Sequence, residues 1–213
     1  INFAVCPIET LTEDGKEMGI GKLFKTPMFL LGIVLMICAG SSEIAMGQWF
    51  SAFAESAIGM QKTVGDLVGP CLFAVAMGIS RVIYGKFGSK LDLTKYMLGS
   101  GALCLACYLA ASLSKSPMVC LLGCIICGFS VGIFWPGTFS LATESVKFGG
   151  TTMFALLALS GDLGCSTGPS VAGFMATVFG GNLQRGILCS VIFPVILLVC
   201  LFFLKPKAKN NGI

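Results

Sequence analysis

Six long apolar stretches leave this chain few folds to choose from. They lie at roughly residues 27–54, 64–86, 95–114, 117–143, 150–179 and 185–204. Each reaches the ~20 residues that a helix needs to cross the hydrocarbon core of a bilayer. Inside lipid the backbone polar groups of such a segment must bond to one another, which a helix achieves alone. The separators are short and polar or glycine-rich (GMQKT, FGSKLDLTK, SKS, SVKFGG and GGNLQ), so successive helices run antiparallel. The expected fold is all-α and integral to the membrane, a bundle of six transmembrane helices. Charge agrees: Asp, Glu, Lys and Arg make up 11% of the chain, against about a quarter in soluble domains.

Residues 1–26 precede the first span and carry Glu9, Glu13, Asp14, Lys16, Glu17, Lys22 and Lys25. This mixed segment reads as a cytoplasmic linker. The six-span domain then covers 27–206, and 207–213 form a cytoplasmic tail. The chain opens on Ile1 without the basic start and apolar run of a signal peptide. The expectation is a fragment whose N-terminal part is missing. Basic residues orient the spans. With the linker inside, eleven of the fourteen Lys and Arg residues fall on the cytoplasmic side, and only Lys62, Lys115 and Arg185 fall outside. Both ends are therefore expected in the cytoplasm, with the bilayer of the cell membrane as partner. The net charge of +4 reports contact with an anionic leaflet, not a nucleic-acid partner.

Two spans carry small residues at steps of four. The fifth has Ser160, Gly164, Gly168, Ala172 and Ala176; the fourth has Cys120, Cys124, Gly128, Gly132 and Pro136. Such rows let helix backbones approach closely in lipid. The sixth is apolar all round, as suits a lipid-facing helix. Pro136 is expected to kink the fourth span, because it removes a backbone donor.

Ionisable groups inside a span are costly and usually turn toward protein or water. Glu43 lies well inside the first span and Asp162 well inside the fifth. Around Glu43 stand Ser41, Ser42, Gln48 and Trp49, with Ser41 and Gln48 seven residues apart on one helix face. These groups are candidates to line a water-filled path. Their oxygens and amides can bond a polar solute, Trp49 or Trp135 can stack on it, and either carboxylate is a candidate proton carrier. The bland alternative is that they bond neighbouring helices. Glu55, Asp66 and Glu144 sit near span ends and read as interfacial.

Several chemistries drop out. There is no histidine, which removes His-based zinc motifs and His-dependent triads. Cys104-x2-Cys107 and Cys124-x2-Cys127 match a four-cysteine zinc pattern in spacing. Zinc needs thiolates, however, and thiols in hydrocarbon stay protonated, so these cysteines read as reduced packing residues. Gly85-Lys86 hints at a phosphate loop, but Ser80 stands where that motif needs glycine and Phe87 where it needs Ser or Thr. No metal and no cofactor is expected, and no enzymatic activity.

The segment RVIYGKFGSK at residues 81–90 links the second and third spans. In its place among six spans it resembles the G-x-x-x-D-R-x-G-R-K loop of major facilitator superfamily transporters. Lys86, Gly88 and Lys90 match; Arg81 replaces the first glycine and Gly85 the aspartate. LFKTPMF, FWPGTFSLATESVKFGG and SGDLGCSTGPSVAGF also resemble the second half of these proteins, with a lean toward fucose permease-like sugar porters. The resemblance implies an MFS-type C-terminal half bundle, helices seven to twelve of a twelve-helix transporter whose N-terminal six-helix half is missing here. It implies secondary transport of a small polar solute by alternating access, coupled to H+ or Na+. The first and fourth spans would line the cavity with Glu43, Gln48, Trp49 and Trp135, and the fifth would flank it with Asp162. Arg81, Gly85, Lys86, Gly88, Lys90 and Asp92 would form a cytoplasmic latch, the cations pairing with helix ends and with Asp92. The competing reading is the membrane domain of a multi-subunit pump with its ATPase on another chain.

Overall fold

The computed structural model describes residues 18–58, 62–88 and 90–203. The linker as far as residue 17 and the tail 207–213 lie outside the described residues. A short turn of helix, α1 (Ile20–Leu23), leads into α2 (Pro27–Ile58). Then follow α3 (Lys62–Phe87), α4 (Leu93–Leu113), α5 (Pro117–Val131), α6 (Phe134–Ser145), α7 (Gly150–Val178), α8 (Leu183–Ser190) and α9 (Ile192–Phe203). No strand occurs among the described residues. The six expected spans are thus α2, α3, α4, α5 with α6, α7, and α8 with α9.

Five of these are long and apolar enough to cross a membrane: Pro27–Ser51, Gly69–Phe87, Leu93–Leu113, Met118–Ser145 and Leu183–Phe203. The fifth expected span, α7, is not among them. With 29 residues it is about 43 Å long, enough to cross. Its glycines, hydroxyl residues and Asp162 make it less apolar than the rest. Those same small residues are its packing face. Ser160, Gly164, Gly168, Ala172 and Ala176 are all buried, and α7 lies along α2 over most of its length.

Both divided spans break at a proline. Pro136 has no N–H, so the Gly132 carbonyl four residues back loses its helical donor. Gly132 and Ile133 separate α5 from α6, and regular bonding resumes with Gly137 N–H donating to Ile133 O at 2.7 Å. The sixth span repeats the device. Pro194 leaves the Ser190 carbonyl without its donor, Val191 interrupts the helix, and Val195 N–H bonds Val191 O at 3.2 Å. This second break was not expected from an otherwise uniform apolar run, although Pro194 signals it.

The core runs down the centre of the bundle through Phe50, Phe73, Met97, Tyr108, Val131 and Phe134. A second cluster under α1 joins Leu23, Phe29, Met36, Ala142, Val146 and Met153. It ties the entry segment to the turn before α7, where Met18 N–H donates to Phe148 O at 2.8 Å. Phe148 holds a left-handed backbone (φ 62°), so this turn stores strain in a bulky exposed residue. Cys104 and Cys127 do meet, with their Sγ atoms 3.9 Å apart between α4 and α5, and both thiols are buried.

Candidate functional site

The site begins where α2 and α7 cross. A Cβ on Gly40 would run into the Gly161 carbonyl, one on Gly164 into the Ile37 carbonyl, and one on Gly168 into the Ser41 carbonyl. Glycine is required at these contacts because backbone meets backbone there. Ser41 fastens the crossing, donating its hydroxyl to Gly164 O at 3.0 Å and sharing a hydrogen bond with Thr167 Oγ1 at 3.3 Å. Ser41 and Gln48 share the seven-residue spacing but differ in environment. Ser41 is buried against α7, whereas Gln48 is exposed.

The neighbours of Ser41 are not satisfied in this way. The Ser42 carbonyl accepts the Tyr108 hydroxyl at 2.8 Å, but the Ser42 hydroxyl is buried without a partner, as is Oε2 of Glu43. Three further buried polar atoms share this condition: Nε1 of Trp49, Nε1 of Trp135 and Oγ1 of Thr138. Buried polar atoms are nearly always bonded, so such a set calls for an explanation. All five lie on α2 and α6, which belong to the first and fourth spans.

Around Glu43 the other spans contribute charge. Arg81 on α3 is the cation whose field reaches Glu43. On α7, Cys165 lies within range of both Glu43 and Asp162. Trp135 covers this region from α6: a Cβ on Gly161 would stand 2.7 Å from its Cζ2. Glu43, Trp135 and Asp162, far apart in sequence, are therefore brought into one neighbourhood. Asp162 differs from Glu43 in being exposed. It shares an exposed face of α7 with Ser166 and Ser170, polar groups that suit water or protein better than lipid. Trp49 and Gln48 stand about two turns further along α2, with the Trp49 ring against Gly173. Thr138, absent from the expected set, faces a small recess lined by Met28, Leu31, Leu35 and Leu141.

The 81–92 segment divides into two parts. Arg81 lies inside α3, six residues before its end, and its Nε donates to Gly132 O at 3.3 Å. The turn proper begins at Gly88, whose N–H bonds Tyr84 O at 2.7 Å. A Cβ on Gly88 would meet that turn of backbone, while Gly85 has open space. Lys86 stacks over Phe87, 5.5 Å from the ring centre, and Lys90 is exposed. Asp92 does not pair with Arg81, Lys86 or Lys90. It caps α4, accepting the Lys95 N–H at 3.2 Å, with the Lys95 ammonium 3.4 Å away. The reason is local: a carboxylate at the N-cap position lies nearest its own helix's free N–H groups. Among the interfacial carboxylates, Asp66 accepts the Ser51 hydroxyl, and Glu55 and Glu144 are exposed.

The Lys95 backbone donor, followed by the Lys95 ammonium, holds the Asp92 carboxyl below its ordinary value of 3.8. A depressed folded-state value contributes stability above the ordinary value and loses it as pH falls through the lower one. Asp92→Asn, which keeps a cap acceptor but not the charge, is expected to lower the melting temperature slightly at neutral pH. It should also remove this contribution to the fall in melting temperature on the acid side of 3.8. Melting curves in detergent across pH 2.5–7 check this, and an unchanged acid limb would count against it.

Comparison with known proteins adds one positive result. The sequence profile described as Major Facilitator Superfamily matches residues 7–165. A comparison with curated proteins returns no match. The profile covers well over half of the chain, and the apolar helices and close-packed glycine crossings stand beside it. The chain is a multi-pass membrane protein and belongs to the Major Facilitator Superfamily.

Proposed function

We propose that this chain is the C-terminal half, helices seven to twelve, of a secondary active transporter in the cell membrane. Members of its superfamily carry small solutes across the bilayer. The solute proposed here is small and polar, with a sugar favoured by the resemblance to fucose permease-like porters. It moves by alternating access against an N-terminal six-helix half, and an H+ or Na+ gradient drives it. Glu43, Gln48, Trp49, Ser42 and Trp135 line the path, with Asp162 at its flank. Both ends of the chain lie in the cytoplasm, on the basic side of the bundle.

The observation that carries this reading is the set of five buried, unpartnered polar atoms on the first and fourth spans. Of these, Glu43, Trp49 and Trp135 are only half-buried, so a solute passing between the halves can supply their missing partners; Ser42 and Thr138 are sealed inside the bundle. The charge pattern supports the orientation, since Lys86, Lys90 and Lys95 cluster at one end of the bundle. In that orientation the turn at residues 85–92 acts as a cytoplasmic latch. Gly88 brings its backbone close to α3, and Arg81 ties α3 to the break in the fourth span.

Uptake into proteoliposomes containing the full-length protein tests the proposal. A panel of labelled sugars, polyols and organic acids is offered under an imposed pH or Na+ gradient. At least one is expected to accumulate about tenfold over protein-free vesicles and to leak out when the gradient is collapsed. Accumulation that requires ATP, or none at all across the panel, would overturn it.

A further inference from the structure

Arg81 has more binding capacity than the fold uses. The proline at 136 leaves the Gly132 carbonyl without a helical donor, and Arg81 Nε fills that position at 3.3 Å. A guanidinium has five N–H donors, so four point elsewhere. Among the described residues these make no further hydrogen bond and no direct ion pair. The side chain is exposed, yet it belongs to the membrane-crossing segment Gly69–Phe87. A bare guanidinium facing hydrocarbon is costly, whereas one facing a water-filled cavity is not. Its surroundings indicate the cavity: it reaches across to Gly132 on the fourth span and acts on Glu43 of the first. Trp135, with its own unpartnered Nε1, lies three residues beyond Gly132.

Arg81 and Glu43 are close enough for their charges to interact, but they form no direct ion pair. We infer that the transported solute carries a carboxylate, and that Arg81 binds it. A carboxylate accepts two parallel N–H bonds from one guanidinium, an arrangement stronger and more directional than contact with a neutral hydroxyl. The bond from Nε to Gly132 fixes the plane of the fork, so the remaining donors are aimed before the solute arrives. Lysine retains the charge but neither the fork nor the tether. Glu43, opposite, takes the solute's hydroxyl or ammonium donors, which gives the solute a direction in the site. This inference rests on the transport reading above and narrows its solute class from polar to anionic.

The test uses matched pairs in full-length proteoliposomes: glucuronate against glucose, lactate against propane-1,2-diol, and succinate against butane-1,4-diol. A carboxylate member is expected to accumulate at least tenfold over its uncharged counterpart. Arg81→Gln should abolish that uptake, and Arg81→Lys should lower it tenfold or more. Because Arg81 also satisfies Gly132, its loss can loosen the fourth span. The double variant Arg81→Gln with Pro136→Ala returns a helical N–H to Gly132, so it should migrate as a single folded species on size exclusion while remaining inactive. Restored carboxylate uptake in this double variant would reduce Arg81 to a structural tie and overturn the inference. Uptake of the uncharged members with refusal of the acids would also overturn it, leaving the transport reading intact. Uptake of no member of any pair would remove the transport reading and this inference with it.

Discussion

Gly164→Val is expected to abolish accumulation of folded protein. In lipid there is no hydrophobic force between helices, and packing of small residues holds them together. At this crossing a Cβ on Gly164 would collide with the Ile37 carbonyl, and the neighbouring glycines at 40 and 168 are equally confined by backbone. A backbone carbonyl cannot swing aside as a side chain would, so the two helices must separate along their length. Separation also breaks the hydrogen bond from Ser41 to Gly164 O. Overpacking a core typically costs about 1–3 kcal/mol, and this contact belongs at or above the upper end. Gly99→Ala is the matched control, since nothing lies within 4 Å of the added methyl. It should gain up to about 1 kcal/mol from better helix propensity. Size-exclusion profiles and melting temperatures of fluorescent fusions in detergent compare the two. A monodisperse Gly164→Val variant with unchanged melting would show that the α2–α7 contact does not hold the bundle together.

That crossing was legible in the chain before any coordinates. A row of small residues at steps of four marks a face, and Gly164, Gly168 and Ala172 occupy the buried side of α7. The same row in the fourth span works likewise: a Cβ on Gly128 would meet the Phe73 backbone and one on Gly132 the Met77 carbonyl. Spacing cannot say which neighbouring helix a face will meet. Nothing about Ile37 marks it as the residue under Gly164. The site was legible in part for the same reason. Glu43 and Asp162 stand out because carboxylates are rare in spans, but their spacing does not reveal that one is half-buried and the other exposed. Arg81 falls inside the second expected span, 64–86, and the fold keeps it within α3; what the sequence does not show is that it faces a carbonyl freed by Pro136. That pairing was accessible in principle, since a proline in a helix always leaves an acceptor four residues back. Its partner comes from another helix, which only the tertiary structure supplies. Thr138 was missed because a threonine in an apolar helix normally bonds its own backbone, and this one does not.

Glu43→Gln is expected to lower solute uptake at least tenfold and to flatten its dependence on pH. Glutamine matches glutamate in shape and keeps hydrogen-bonding capacity, so the substitution removes charge and the ability to exchange a proton while leaving packing intact. The ionisable groups facing Glu43 are Arg81 from α3 and Cys165 from α7, with Asp162 beyond that thiol. Neutralising Glu43 leaves Arg81 as an uncompensated cation in the path. An anionic solute would then bind but dissociate slowly, so the loss should fall on turnover more than on apparent affinity. Asp162→Asn should have a smaller effect, near threefold, because Asp162 is exposed and its nearest polar neighbours share its own helix face. Uptake measured from pH 5.5 to 8.5 in proteoliposomes, with size-exclusion profiles to confirm folding, separates these outcomes. Wild-type rates and an unchanged pH profile in both variants would remove the carboxylates from the transport path. The five unpartnered atoms would then have to be explained by helix contacts formed in another conformation of the transporter.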